Sequence, residues 1–93
     1  MPGEVARRFL VQGQVQGVGF RWFIQRRLRE LGCAGWVRNL PDGSVEAVVG
    51  GTPEAMDLAR GFLQTGPRSA QVSRVEEETV VPPDPLPRPF RIE

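Results

Sequence analysis

Apolar positions along the chain switch between a period of two and a period near 3.6, and the switches divide it into strands and helices. From Val5 to Gln12, Phe9 and Val11 share one face with Leu10 opposite, which predicts a strand with two partly buried faces. Glycines at 13, 17 and 19 interrupt the pattern. Over Arg21 to Leu31 the apolar residues Phe20, Phe23, Ile24, Leu28 and Leu31 fall at helical spacing, Arg26, Arg27, Arg29 and Glu30 take the wet face, and Gly32 is a C-terminal stop. Gly35–Asn39 and Ser44–Val49 alternate as strands around Pro41-Asp42-Gly43, which has the chemistry of a hairpin turn. Thr52-Pro53-Glu54 supplies an N-cap, a proline at the first helical position and an acid in the first turn. Ala55, Leu58, Ala59, Phe62 and Leu63 are that helix's buried stripe, and Gly66-Pro67 ends it. Val72 and Val75 mark a further strand running toward Glu76-Glu77-Glu78, and Phe90-Arg91-Ile92 a short terminal one.

The order is βαββαβ with an optional short fifth strand at the C-terminus. It predicts a ferredoxin-like α+β sandwich, an antiparallel sheet with both helices placed on one face by right-handed crossovers. At 93 residues the expectation is a single domain over 1–93. The proline-rich stretch Pro82–Pro89 reads as a stiff connection over the sheet rather than a ligand for a polyproline reader, and the acid triplet as solvated surface.

Composition removes whole classes of chemistry. The chain has no lysine, histidine or tyrosine, and all twelve basic residues are arginine. A Ser-His-Asp triad, a histidine metal ligand, a Schiff-base lysine and a Walker-type lysine are therefore excluded. Eleven acids against twelve arginines leave a net charge of +1, so a general nucleic-acid binder is not expected. Cys33 is the single cysteine, which excludes an intrachain disulfide and a cysteine zinc cluster and suits a reducing cytoplasm. Met1-Pro2-Gly3-Glu4 lacks the features of a secretory signal, and no apolar run is long enough to cross a bilayer. A cytoplasmic protein, neither exported nor embedded in a membrane, is expected.

What chemistry remains concentrates in the turn between the first strand and the first helix, Gly13-Gln14-Val15-Gln16-Gly17-Val18-Gly19-Phe20-Arg21. Gly17 and Gly19 take positive φ at little cost, which lets successive N–H groups turn toward one anion at the positive end of a helix. Glycines at a strand-to-helix junction also serve simply to turn the chain. Arg21 shifts the balance toward anion binding, because it sets a planar, permanently charged fork at the helix entry.

The run Gly13-x-Val15-Gln16-Gly17-Val18-Gly19-Phe20-Arg21 resembles the signature of the acylphosphatase family. Gly35-Trp36-Val37-Arg38-Asn39, with Gly43-x-Val45 and Gly51, is similar to that family's second signature at the family's spacing. The likeness extends through Gly66-Pro67 and Ser69-Ala70-x-Val72-x-x-Val75 and weakens in the tail, which lacks the family's tyrosine-bearing end. The resemblance implies hydrolysis of acyl phosphates to a carboxylate and inorganic phosphate. That chemistry requires no metal or cofactor, and a monomer acting on a small acyl phosphate, with inorganic phosphate as product or inhibitor, is expected. Arg21 and Asn39 match the family's catalytic pair, the first binding phosphate and the second orienting the attacking water. Gln16, Gly17, Val18, Gly19 and Phe20 match the phosphate-binding loop. Trp36 and Phe20 are assigned to core packing.

Two other readings compete. Gly17-Val18-Gly19-Phe20 echoes an RNA-recognition motif, but it feeds a helix rather than lying in a central strand, and aromatics are few. A non-catalytic acyl- or carbamoyl-phosphate-binding module, as found within larger hydrogenase-maturation enzymes, is the other. The presence of both Arg21 and Asn39 favours the enzyme.

Overall fold

The computed structural model describes residues 4–82 and 84–93. Met1, Pro2 and Gly3, which enter the reading of the N-terminus, and Pro83 of the proline-rich stretch lie outside the described residues. The elements are β1 (Val5–Gln14), α1 (Phe20–Glu30), β2 (Ala34–Asn39), β3 (Val45–Gly51), α2 (Pro53–Thr65), β4 (Gln71–Thr79) and β5 (Arg91–Ile92). They form the expected ferredoxin-like sandwich, with two helices on one sheet of order β4-β1-β3-β2-β5.

Register explains the core. Phe9 sits opposite Ala47 and Val11 opposite Val45, while Val37 faces Ala47 from the other side, so period-two alternation stacks one apolar row across the central strands. Ile24 and Leu28 of α1 and Met56, Ala59 and Leu63 of α2 close over this row, all essentially inaccessible to solvent. Leu58 departs from the predicted stripe: it is 56% exposed, and Met56 is buried in its stead. The i, i+3, i+7 line through Met56, Ala59 and Leu63 is the one that meets the sheet, and Leu58 lies off it.

The predicted antiparallel sheet holds for β1 to β4, but β5 pairs parallel with β2, Trp36 with Arg91 and Val37 with Ile92. The cause is connectivity. β4 is antiparallel to β1, whereas β2 runs the same way as β1, so a chain leaving β4 and crossing the sheet arrives at the end where β2 begins. The crossing passes over the face opposite the helices, where Val80–Pro82 and Pro85–Pro87 lie by Trp36 and Val48. Gly35 donates its N–H to the Pro87 carbonyl at 2.8 Å, and Leu86 sits so close to Gly50 that a Cβ there would lie 2.9 Å from its Cδ1. Trp36, expected in the core, is instead half-buried beneath this strap, with the Arg38 guanidinium 4.9 Å from its ring centre. Phe90 then drops into the core, fully buried, and Arg29 donates to its carbonyl at 2.6 Å.

Glu46, paired with Arg38 across β2 and β3, accepts hydrogen bonds from both Arg8 and Arg38. Burial pushes the Glu46 carboxyl upward, and the two guanidiniums outweigh it, leaving the group below the usual carboxylate range. Cys33 is buried, and burial raises its thiol. Among the described residues no helix is long and apolar enough to cross a membrane.

Candidate active site

The strand-to-helix turn is built to expose its backbone. Val15 is buried, 1% exposed, and Phe20 likewise, so the two ends of the turn are pinned in the core while Gln16 to Gly19 loop outward. Phe20 fills the space beside Gly66, where a Cβ would meet its ring at 2.8 Å. Gly17 and Gly19 have φ of 74° and 79°. A Cβ at either would meet nothing within 4 Å, so conformation rather than crowding demands glycine there. Gly19 is the N-cap of α1 in a left-handed conformation and offers no side-chain cap. The first intrahelical bond runs from Phe23 N–H to the Gly19 carbonyl at 3.0 Å, which leaves the N–H groups of Phe20, Arg21 and Trp22 ahead of it. With no acidic residue in the first turn, nothing in the helix's own opening offsets its positive end.

Two side chains hold the turn in place. Gln16 Nε2 donates to the carbonyls of Leu40 and Ser44, each at 2.8 Å, and so ties the turn to the β2–β3 hairpin. Ser69 Oγ donates to the Val18 carbonyl at 2.7 Å from the start of the β4 approach. The hairpin is itself fixed by Asp42, whose Oδ1 accepts from the Ser44 N–H at 2.9 Å and from its hydroxyl. The Ser44 hydroxyl and amide hold the Asp42 carboxyl below its ordinary range.

Asn39 stands at the end of β2, and the Gln16 tether brings it beside the turn. A cavity of about 140 Å³ is bordered by Gly17, Gly19, Phe20, Arg21 and Asn39, with Val15, Trp22 and Ile92 completing the wall. Arg21 is half-buried and has no ion pair or hydrogen bond among the described residues, whereas Arg7, Arg8 and Arg60 are each paired with glutamate. Asn39 Oδ1 is buried and lacks a hydrogen-bond partner among them. A buried acceptor left without a partner costs about 1–3 kcal/mol, so a donor in the cavity, water or ligand, is what would satisfy it.

The structure thus brings five of the candidate residues, Gly17, Gly19, Phe20, Arg21 and Asn39, to one cavity. Gln16 and Val18 flank it: the Gln16 side chain is engaged with the hairpin, and Val18 packs against the edge of the core. Trp22 and Ile92 were not singled out as site residues from the sequence, and Ser69 entered only as part of the family likeness. Trp22 carried a signal, a large apolar residue off the helix's buried stripe; Ile92 carried none, because only the parallel pairing of β5 takes it there.

Comparison with known proteins places the family and the fold. Residues 7–92 match the family model described as Acylphosphatase. The chain is 56% identical over 73 residues to the acylphosphatase of Thermococcus kodakarensis, an alignment spanning 78% of this chain and 80% of that protein. The structure of an acylphosphatase from Coxiella burnetii superposes with a TM-score of 0.89 at 36% identity, covering 98% of this chain and 94% of that one. The structure of T. kodakarensis HypF contains a similar region, with a TM-score of 0.84 at 34% identity over 96% of this chain but 12% of that one. With the match spanning nearly its full length, the chain belongs to the acylphosphatase family, hydrolases that act on acyl phosphates.

Proposed function

We propose that this protein hydrolyses the carboxyl–phosphate bond of acyl phosphates by direct attack of water, using Arg21 and the backbone of Gln16 to Phe20 to hold the phosphoryl group and Asn39 to place the water. Asn39 Oδ1 and Arg21 border one cavity and neither has a partner among the described residues, which is the observation that carries this reading. A carboxylate leaves readily without a strong general acid, and a loose phosphoryl-transfer transition state asks mainly for positioning and charge stabilisation. Arg21 and the inward N–H groups supply charge stabilisation.

Asn39 is no base, since an amide takes no proton near neutral pH; its oxygen accepts a hydrogen bond from the water and aims it. The water oxygen bonds to phosphorus as the P–O bond to the acyl group breaks, the electron pair leaves with the carboxylate, and the water's proton passes to a phosphate oxygen. Inorganic phosphate, the product, occupies the same donors and inhibits. No metal or cofactor enters this scheme. Residues 1–93 act as one domain and as a monomer, and the single buried Cys33 suits a reducing cytoplasm.

The test follows loss of an aryl acyl phosphate without added metal for wild type, Arg21→Gln and Asn39→Ala. Each variant loses about 100-fold in turnover, from roughly 3 kcal/mol per lost transition-state interaction. Asn39→Ala keeps phosphate binding and Arg21→Gln loses it. A folded wild type that binds phosphate compounds without turnover would instead support the non-catalytic module, a reading the likeness to part of HypF keeps in view. RNA binding is disfavoured because the strap occupies the sheet face on which bases would stack.

A further inference from the structure

Gly17 and Gly19 border the cavity at the β1–α1 turn, but Val18 between them does not. The Val18 side chain packs against the edge of the core, and its carbonyl accepts the Ser69 hydroxyl at 2.7 Å. Ser69 is absent from the cavity wall as well, so this hydrogen bond lies outside the site it adjoins. In a planar trans peptide the N–H points opposite to the C=O. With the Val18 carbonyl drawn to Ser69, the Gly19 N–H is turned the other way, to the side of the cavity, and it has no backbone acceptor among the described residues.

Ser69 is itself firmly placed. Ala70 donates its N–H to the Pro67 carbonyl at 3.0 Å, which closes a turn around Arg68 and Ser69, and the Phe20 ring packs against Gly66 just before it. The Val18–Gly19 unit has less to hold it. Gly19 has a φ of 79°, and rotating the unit between its two Cα atoms carries that angle to negative values, which glycine adopts as readily. Neither the packed Val18 side chain nor the Gly19 carbonyl, which accepts from Phe23, has to move. The glycine permits both orientations and selects neither. No backbone N–H among the described residues competes for the Val18 carbonyl, so the choice falls to the Ser69 hydroxyl.

We propose that Ser69 is a positioning residue for the anion: its hydroxyl fixes the Val18–Gly19 peptide so that the Gly19 N–H faces the bound phosphoryl group. The proposal rests on the phosphoryl site proposed above. Without the hydroxyl the unit divides between two orientations, one of which turns a carbonyl oxygen toward the cavity and repels an anion. Apparent affinity then falls with the fraction of protein in the competent orientation, and saturating substrate draws all of it back.

The test compares wild type, Ser69→Ala and Ser69→Thr, the last keeping a hydroxyl at an exposed position. Calorimetry measures binding of inorganic phosphate, and initial rates give kcat and KM for an aryl acyl phosphate. The nuclear Overhauser effect between Val18 Hα and the Gly19 N–H, which reports the orientation of the unit, is read without ligand. Ser69→Ala weakens phosphate binding about two- to tenfold, the span of one net hydrogen bond, and changes the Overhauser effect. It raises KM by the same factor, with kcat within about twofold of wild type. Ser69→Thr restores all three. Wild-type affinity and KM in Ser69→Ala, even with lower stability to urea, overturn the proposal, as does weaker binding with an unchanged Overhauser effect. A wild type that binds phosphate in a Ser69-dependent way yet hydrolyses nothing overturns the hydrolysis and supports the positioning role. A wild type that hydrolyses the substrate, with Ser69→Ala indistinguishable from it, overturns the positioning role and leaves the hydrolysis standing.

Discussion

The two helices begin in opposite ways. At α2 the Thr52 hydroxyl accepts the Ala55 N–H at 3.1 Å, Pro53 removes one orphan donor, and Glu54 meets the dipole with a negative charge. At α1 the cap is a left-handed glycine with no side chain to offer, the first turn holds no acid, and Arg21, without an ion pair among the described residues, stands there instead. One opening is completed by its own sequence. On the function proposed above, the other is left for an anion to complete, and the stability forgone there is the counterpart of binding.

That contrast is sharpest with phosphate itself. Phosphate at about 100 times its dissociation constant stabilises a protein by about 2.7 kcal/mol through mass action alone. Wild type and Thr52→Ala should gain this in a thermal melt, and Arg21→Gln should gain almost none. An equal gain in Arg21→Gln would place the anion elsewhere. The caps themselves come next. Gly19→Ala puts a Cβ at a φ of 79°, which costs about 1–2 kcal/mol from left-handed strain, and it should also weaken phosphate affinity by turning the N–H groups away. Thr52→Ala loses about 1 kcal/mol, as N-cap removals do, and leaves kcat/KM for an aryl acyl phosphate unchanged. Urea unfolding and initial rates on the same samples check both; a Gly19→Ala protein with wild-type phosphate affinity would show that the turn's conformation is dispensable for binding.

How far the sequence disclosed these features follows from how local each one is. Caps, glycine φ and the Pro41-Asp42-Gly43 turn depend on a few adjacent residues, so both helix openings and the hairpin beside Asn39 could be read directly. The spacing of Arg21 and Asn39 was legible by resemblance, but their meeting depends on Gln16 reaching two carbonyls 24 and 28 residues away. Leu58 and Met56 are both apolar on one helix, and only the position of the sheet decides which is buried. Trp36 alternates correctly with Val37, yet the strap that covers it arrives from the far edge of the sheet. Ile92 reaches the cavity through the same crossing. Its place is a property of the whole topology, and no pattern within Phe90-Arg91-Ile92 reports it.

The completed helix is also tied to its neighbour by charge. Arg60 of α2 grips Glu77 of β4 with two nitrogens, the second at 2.9 Å, and Arg7 of β1 reaches the same carboxylate at 3.1 Å. The Arg60 bond holds the Glu77 carboxyl below its usual range against a smaller upward push from burial. A depressed carboxyl stabilises the fold above the unfolded-chain value of about 4.3, and that contribution is lost as pH falls through the lower folded-state value. Glu77→Gln should therefore cost about 0.2–1 kcal/mol at pH 7, the range of partly exposed ion pairs, and make the fall in Tm below pH 5 shallower than in wild type. Phosphate affinity at pH 7 should not move, because α1 and its open end do not use this tie. An unchanged acid profile would mean that Arg60 and Arg7 hold the unfolded chain's Glu77 as well as the folded one's. A change in phosphate affinity would mean that the two helix openings are mechanically coupled through the sheet.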